Sequence, residues 1–169
     1  MTVETDVDIL EILITGLPDT GKSSFVRTIC EKIGDGADDG QDWFSGELTV
    51  DDTLFMRFLE PPAVTMFDFI WLRELIDQAD VPGFIVVCDS TQPQFFGETV
   101  SLLETIRAYH PDTPCVLVCN KQDNSHAWSP DDIRIVLGIP NDILVLPCIA
   151  TNRESVKSAV LQLLYRIFG

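Results

Sequence analysis

The feature that most constrains the fold is a glycine-rich stretch near the start of the chain, GLPDTGKS at residues 16–23. The fixed positions of the pattern GxxxxGK[ST] are filled by Gly16, Gly21, Lys22 and Ser23. The apolar run Ile9–Ile14 predicts a strand before it, and Lys22–Ile33 predicts a helix after it. Backbone N–H groups of such a loop converge on phosphate, helped by the helix N-terminus. The stretch therefore predicts a phosphate-binding turn, and a glycine-rich turn without a ligand is the weaker interpretation.

Side chains of this loop carry the chemistry that a phosphate ligand needs. Lys22 would reach the β- and γ-phosphates, and the Ser23 hydroxyl would ligate Mg²⁺. Asp19 places a negative charge near the phosphates, which weakens affinity unless its carboxylate faces solvent. The predicted phosphate-binding residues are Gly16, Asp19, Thr20, Gly21, Lys22, Ser23 and Ser24.

A second motif, NKQD at Asn120–Asp123, directly follows the apolar run Cys115–Cys119, which predicts a central strand. The Asp123 carboxylate can accept hydrogen bonds from both N1–H and the exocyclic amine of guanine, whereas adenine offers no such pair of donors. Each charge-assisted bond is worth roughly 1.5–3 kcal/mol, so two of them favour guanine over adenine by several orders of magnitude. We therefore predict guanine-binding roles for Asn120, Lys121 and Asp123.

Short apolar runs alternate with amphipathic segments along the whole chain. Strands are predicted at Ile9–Ile14, Phe44–Val50, Thr53–Leu59, Gly83–Asp89, Cys115–Cys119 and Asp142–Pro147. Helices are predicted at Lys22–Ile33, 67–79, Glu98–His110, Pro130–Leu137 and Arg153–Phe168. This alternation is typical of a three-layer α/β fold with a six-stranded, mostly parallel sheet and one antiparallel edge strand. Residues 1–169 are expected to form a single domain.

The charge balance excludes several classes of partner. Eleven basic residues face 27 acidic ones, a formal net charge of −16, so neither nucleic acid nor an anionic membrane is an expected partner. The acidic start of the chain does not resemble a secretory signal, and no apolar run approaches the ~18 residues of a membrane span. Neither end carries a lipidation motif. We expect a cytoplasmic protein without a direct membrane anchor, whose five cysteines are mostly small buried side chains.

These motifs resemble those of the Ras-like small GTPases, and more closely the bacterial branch that includes the MglA and Rup types. The resemblance covers nearly the whole chain. It implies a P-loop GTPase (Ras-like) domain that binds GTP or GDP with Mg²⁺. Ile149-Ala150-Thr151 stands where the family has its fifth motif, which implies that the Ala150 N–H meets guanine O6 and that Thr151 lies beside the base.

The family's third motif, DxxG followed by Gln, is altered here. The residues at the corresponding positions are Glu60-Pro61-Pro62-Ala63, followed by Val64. Glu60 keeps a carboxylate for the Mg²⁺ site, but the prolines stiffen the segment and Val64 cannot orient a water molecule. The switch threonine is also missing from residues 38–41, DDGQ. The sequence thus predicts nucleotide binding with slow or partner-dependent hydrolysis, metal ligands Ser23 and Glu60, and no assigned catalytic residue.

The segment FDFIWLREL at 67–75 is apolar on more than one helical face. Most of it is expected in the core, but Phe67 and Trp71 suggest a docking surface for a protein partner. The resemblance implies a Roadblock-domain protein as one such partner. Two functions remain open: a signalling or polarity switch, and a pseudo-GTPase that acts as an interaction scaffold without turnover. An ATP-dependent P-loop enzyme is disfavoured by NKQD.

Overall fold

The structure, a computed structural model, describes residues 6–35, 43–61 and 69–169, and of residues 69–72 the backbone alone. Its strands are β1 Asp8–Thr15, β2 Lys32–Asp35, β3 Phe44–Thr49, β4 Leu54–Glu60, β5 Gly83–Asp89, β6 Cys115–Asn120 and β7 Leu144–Pro147. Its helices are α1 Lys22–Ile29, α2 Phe69–Gln78, α3 Phe96–Tyr109, α4 Pro130–Leu137 and α5 Arg153–Phe168. The predicted helix at 67–79 begins outside the described residues.

The seven strands form one sheet in the order β2-β3-β4-β1-β5-β6-β7. Strand β1 runs parallel to β4 and β5, and β5, β6 and β7 continue in the same direction. Strand β3 is antiparallel to both of its neighbours, β2 and β4. The α/β architecture and the mostly parallel sheet with antiparallel pairing at one edge are therefore confirmed, with one small difference: the described residues form seven strands instead of six.

The additional strand β2 comes from a segment predicted as the end of a helix. Helix α1 stops at Ile29 because Cys30 adopts an extended conformation. The chain then pairs with β3, with Lys32 opposite Glu47, an oppositely charged pair across the strands. Gly46 of β3 leaves room for the end of α1, because a Cβ there would crowd Val26 and Cys30. Pairing with β3, the next strand along the chain, takes the place of the last predicted helical turn.

The core lies in two layers, one on each face of the sheet. Alternate residues of β1 supply both: Ile12 and Ile14 pack with α1 and α5, while Leu13 packs with α2, α3 and α4. Every residue of β5 from Gly83 to Cys88 is buried, as a central parallel strand requires. Among the cysteines, Cys88, Cys119 and Cys148 are buried, as predicted. No helix within the described ranges is long and apolar enough to cross a membrane.

Candidate nucleotide-binding site

The predicted phosphate loop joins β1 to α1 and needs glycine at two positions. Gly16 has a φ of +151° and Gly21 a φ of +103°, backbone conformations that disfavour other residues. A Cβ at Gly16 would collide with the carbonyl oxygen of Val87, and a Cβ at Gly21 would collide with the amide of Asn120. The loop thus lies directly against the ends of β5 and β6, where parallel strands place a ligand.

Lys22 is buried at the start of α1, with 6% of its surface exposed. Its Nζ donates to the carbonyl oxygens of Gly16, at 3.1 Å, and of Leu17, at 2.6 Å. Burial lowers the pKa of the Lys22 ammonium, and the carboxylates of Glu60 and Asp19 oppose that shift. The Lys22 side chain therefore lies along the inside of the loop, and its Nζ is close to where the loop would hold a phosphate.

Ser23 and Glu60, the two predicted metal ligands, are in direct contact. The Ser23 Oγ donates to Glu60 Oε1 at 3.1 Å and to Oε2 at 3.0 Å. Burial raises the pKa of Glu60, against the opposing effects of the Ser23 hydrogen bond and the charges of Lys22 and Arg27. A hydroxyl beside a carboxylate suits Mg²⁺, which binds few protein oxygens and keeps water and phosphate oxygens as its other ligands. Across the described ranges, no cluster of three or more His, Cys, Asp or Glu forms a metal site by itself.

Asn120 holds two loops of the site together. It is 3% exposed, its Nδ2 donates to the Thr20 carbonyl at 2.8 Å, and its Oδ1 accepts from the Ala150 N–H at 2.8 Å. The side chain thus joins the phosphate loop to the segment after β7. Because the Ala150 N–H already donates to Asn120, its predicted contact with guanine O6 would compete with this bond. The guanine-binding roles of both residues stay predictions.

Replacing Asn120 by alanine is expected to lower the free energy of unfolding by roughly 2–4 kcal/mol, since two hydrogen bonds are lost and their buried partners stay unsatisfied. Urea denaturation of protein stripped of ligand by EDTA would measure this change without a contribution from binding. Asn124→Ala is the matched control, because Asn124 is exposed and its side chain accepts a hydrogen bond from the nearby His126 N–H. Equal losses in the two variants would contradict the role given to Asn120.

Lys121 connects the phosphate loop to the end of β5. Its backbone has a φ of +68°, and its Nζ donates to the Asp19 carbonyl at 3.1 Å and to Asp89 Oδ2 at 2.6 Å. Thr91 holds the other oxygen of Asp89 through its N–H, at 2.9 Å, and its hydroxyl, at 2.6 Å. Burial opposes the ionisation of Asp89, but the bonds from Lys121 and Thr91 outweigh it and hold the pKa of the carboxyl below its usual value.

Asp89 was not predicted as a site residue, although a signal was present. It directly follows the buried run of β5, and it is paired in register with Asn120 at the end of β6. Gln122, the variable residue of NKQD, was also missed. Its Nε2 donates to Ser90 Oγ at 2.9 Å and to the Trp128 carbonyl at 2.8 Å, which anchors the loop that carries Asp123.

Asp123 itself is exposed and makes no hydrogen bond or ion pair with the residues that the structure describes. Both of its oxygens are therefore available to a ligand. Ser24, Asp19 and Thr151 are also exposed, whereas Thr20 is buried and its hydroxyl donates to the Leu17 carbonyl at 3.0 Å. The described site residues gather at the carboxyl ends of β1, β4, β5, β6 and β7.

Several predictions fall outside the described residues. These are the altered motif positions Pro62, Ala63 and Val64, the acidic segment 38–41, and the docking residue Phe67. The side chain of Trp71, the second docking residue, is not described either. The predicted docking surface and the predicted loss of catalytic groups stay predictions.

Comparison with known proteins supports the fold more strongly than the function. No protein-family model matches the chain. It is 29% identical over 129 residues to ADP-ribosylation factor-like protein 10 of Mus musculus, a match that covers 76% of this chain. The chain spans about half the length of that relative, 52%.

Among solved structures, the G domain of the T. maritima FeoB iron transporter superposes with a TM-score of 0.71 at 16% identity, covering 94% of this chain and 99% of that one. These two matches do not show whether the chain belongs to the bacterial MglA and Rup branch. The chain therefore has the α/β fold of a P-loop GTPase domain, and its sequence is similar to that of an ADP-ribosylation factor-like protein.

Proposed function

We propose that this chain is a guanine-nucleotide-binding domain that holds GTP or GDP with Mg²⁺. The observation that carries the proposal is the connection between the two motifs. Asn120 clamps the Thr20 carbonyl of the phosphate loop, and Lys121 bonds to the Asp19 carbonyl of the same loop. The predicted phosphate loop and the predicted base-binding segment are thereby held at one edge of the sheet, as a nucleoside phosphate requires.

In this proposal, different site residues bind different parts of the nucleotide. Lys22 would turn from the loop carbonyls to the β- and γ-phosphates, and Ser23 and Glu60 would hold Mg²⁺, which supplies charge neutralisation at the phosphates. Asp123 would accept from guanine N1–H and the exocyclic amine. Its exposure and its lack of a hydrogen-bond or ion-pair partner among the described residues support that role.

Hydrolysis in this proposal is slow or depends on a partner, and the domain acts as a switch in signalling or polarity. Val64 stands where related proteins place the Gln that orients the attacking water, and an apolar side chain cannot perform that task. Pro61 is buried next to Glu60 and restricts the backbone where this segment begins. A partner that supplies the missing groups would restore the rate.

A pseudo-GTPase scaffold is the second candidate, favoured by one observation. Lys22 donates to the carbonyls of Gly16 and Leu17, and Ser23 donates to Glu60, so these side chains have hydrogen-bond partners within the protein itself. Such bonds hold the loop in place through protein contacts. The domain would then serve as an interaction module, with the docking surface predicted at Phe67 and Trp71.

The test is to denature freshly purified protein and identify any released nucleotide by chromatography. We expect close to one guanine nucleotide per chain, and GTP in excess of GDP would indicate stalled hydrolysis. Protein stripped with EDTA should take up GTP again when Mg²⁺ is restored. A chain that is purified empty and ignores added GTP with Mg²⁺ would contradict the proposal and favour the scaffold.

A further inference from the structure

A cavity of about 550 Å³ lies beside the phosphate loop, between that loop, the end of β5 and the start of α3. In the part of the chain that the structure describes, its walls include Leu17, Pro18, Cys88, Phe95 and Phe96. Of the predicted nucleotide-site residues, Asp19, Thr20 and Lys121 line the cavity, whereas Lys22, Ser23, Asn120 and Asp123 do not, so the cavity borders that site. Its volume lies within the range of small-molecule pockets, about 300–1,000 Å³.

The walls of this cavity favour a ligand with an apolar body. Phe96 is buried and packs edge-on against Trp128, with ring centroids 5.6 Å apart, so it forms a fixed wall. Its neighbour Phe95 is 45% exposed. A ligand in the cavity would cover part of the Phe95 ring, and covering apolar surface favours binding.

The charges of the cavity favour a cation. Among the described residues, those that line it with a charge are Asp19, Asp89 and Lys121, two carboxylates and one ammonium, which leaves one net negative charge. The Lys121 ammonium is already paired with Asp89 at 2.6 Å. The Asp19 side chain is exposed; its charge acts on the buried Lys22 ammonium, but it forms no hydrogen bond or ion pair with the described residues. An anion would find no free positive charge there, so a phosphate group does not suit this cavity.

We propose that the cavity binds an organic cation with an apolar, aromatic-sized body, and that the bound cation strengthens nucleotide binding. Only the second part of this inference, the effect on nucleotide binding, rests on the proposed function. The two sites share Asp19, which lines the cavity and whose carbonyl lies in the phosphate loop and accepts from Lys121. A cation that neutralises Asp19 removes a negative charge beside the phosphates, and such coupling acts equally in both directions.

Three indole probes of similar shape and different charge would test the first half: tryptamine, tryptophol and indole-3-propionate. Binding is followed by two-dimensional NMR of the full chain as purified, which requires no added nucleotide. We expect tryptamine to bind with a Kd on the order of 1 mM, as small ligands do. Tryptophol should bind about fivefold more weakly, the effect of one solvent-accessible charge pair. Indole-3-propionate should not bind, and equal binding of all three would overturn the proposal.

Two variants locate the site. Phe95→Ala should weaken tryptamine binding at least threefold. The control is Tyr109→Ala, at the far end of α3, which should leave tryptamine binding unchanged. Tyr109 is an aromatic residue with a similar exposed fraction, but it lies outside the cavity. Asp19→Asn should remove the preference for tryptamine over tryptophol, and asparagine tolerates the positive φ of 62° at this position. Unchanged tryptamine binding by Phe95→Ala, with its fold intact by circular dichroism, would overturn the location.

The second half is tested by the dissociation rate of GDP with and without saturating tryptamine. We expect tryptamine to slow dissociation about twofold to fivefold in the wild type, the range of one exposed charge interaction. Phe95→Ala should show no such effect at the same concentration. Tryptamine binding without any change in GDP dissociation would overturn the coupling. Tryptamine binding by a chain that takes up no guanine nucleotide would overturn the proposed function and support the cavity.

Discussion

Replacing Lys22 by alanine is expected to weaken the binding of GDP and GTP by roughly 30- to 5,000-fold, the effect of losing about 2–5 kcal/mol from one buried, hydrogen-bonded charge pair. The ammonium is buried beneath the loop, bonded to the carbonyls of Gly16 and Leu17. No other lysine or arginine in the described residues donates to these carbonyls, so no neighbour replaces it there. Titration with a fluorescent GDP analogue would measure the change.

Lys157→Ala is the control for this variant. Lys157 is exposed on α5, so this substitution removes the same charge far from the loop. Its nucleotide affinity should match that of the wild type. The Lys22 variant must also be shown to fold, by circular dichroism, because its two carbonyl bonds are lost as well. A folded Lys22→Ala variant with an affinity within threefold of the wild type would exclude the phosphate role of this loop.

Replacing Asp123 by alanine is expected to remove the preference for guanine over adenine. Two charge-assisted hydrogen bonds of roughly 1.5–3 kcal/mol each are lost, so GDP affinity should fall by about 10²- to 10⁴-fold. ADP affinity should change little, because adenine offers Asp123 no such pair of donors. Competition of GDP and ADP against a bound fluorescent nucleotide would measure both affinities in one experiment.

Asp112→Ala serves as the control, since Asp112 is an exposed carboxylate in the loop before β6, at the opposite end of that strand. It changes the net charge by the same amount and should leave the preference intact. The two principal variants also differ from each other: Lys22→Ala should weaken every nucleotide, and Asp123→Ala only guanine nucleotides. An unchanged preference in Asp123→Ala would remove the base-binding role from NKQD.

Much of the fold was predictable because its elements are encoded locally. The run GFIVVCD predicted β5 with the bounds that the structure shows, Gly83–Asp89, since a continuous apolar run flanked by turn residues is typical of a central strand. Helix α4 likewise spans Pro130–Leu137 as predicted, because Ser129 caps its first turn through the Asp132 N–H and Gly138 ends it in a left-handed conformation. These signals lie within a few residues of the element that they define.

Strand β2 was not predictable in the same way. The segment Lys32–Asp35 has too few apolar residues to specify a strand by pattern, and it becomes one because β3 offers an unpaired edge. The contact between α1 and Gly46 likewise depends on the approach of a helix and a strand that only the folded chain brings together.

By itself, the sequence determined the phosphate loop, the motif that follows β6 and the α/β alternation, because each depends on residues that are close along the chain. The tertiary structure alone decided how these parts are joined. The Asn120 amide reaches the Thr20 carbonyl across 100 residues of sequence, and Lys121 pairs with Asp89 across 32. Such bonds form only after the parallel sheet has brought the carboxyl ends of β1, β5 and β6 together. No local pattern encodes that proximity.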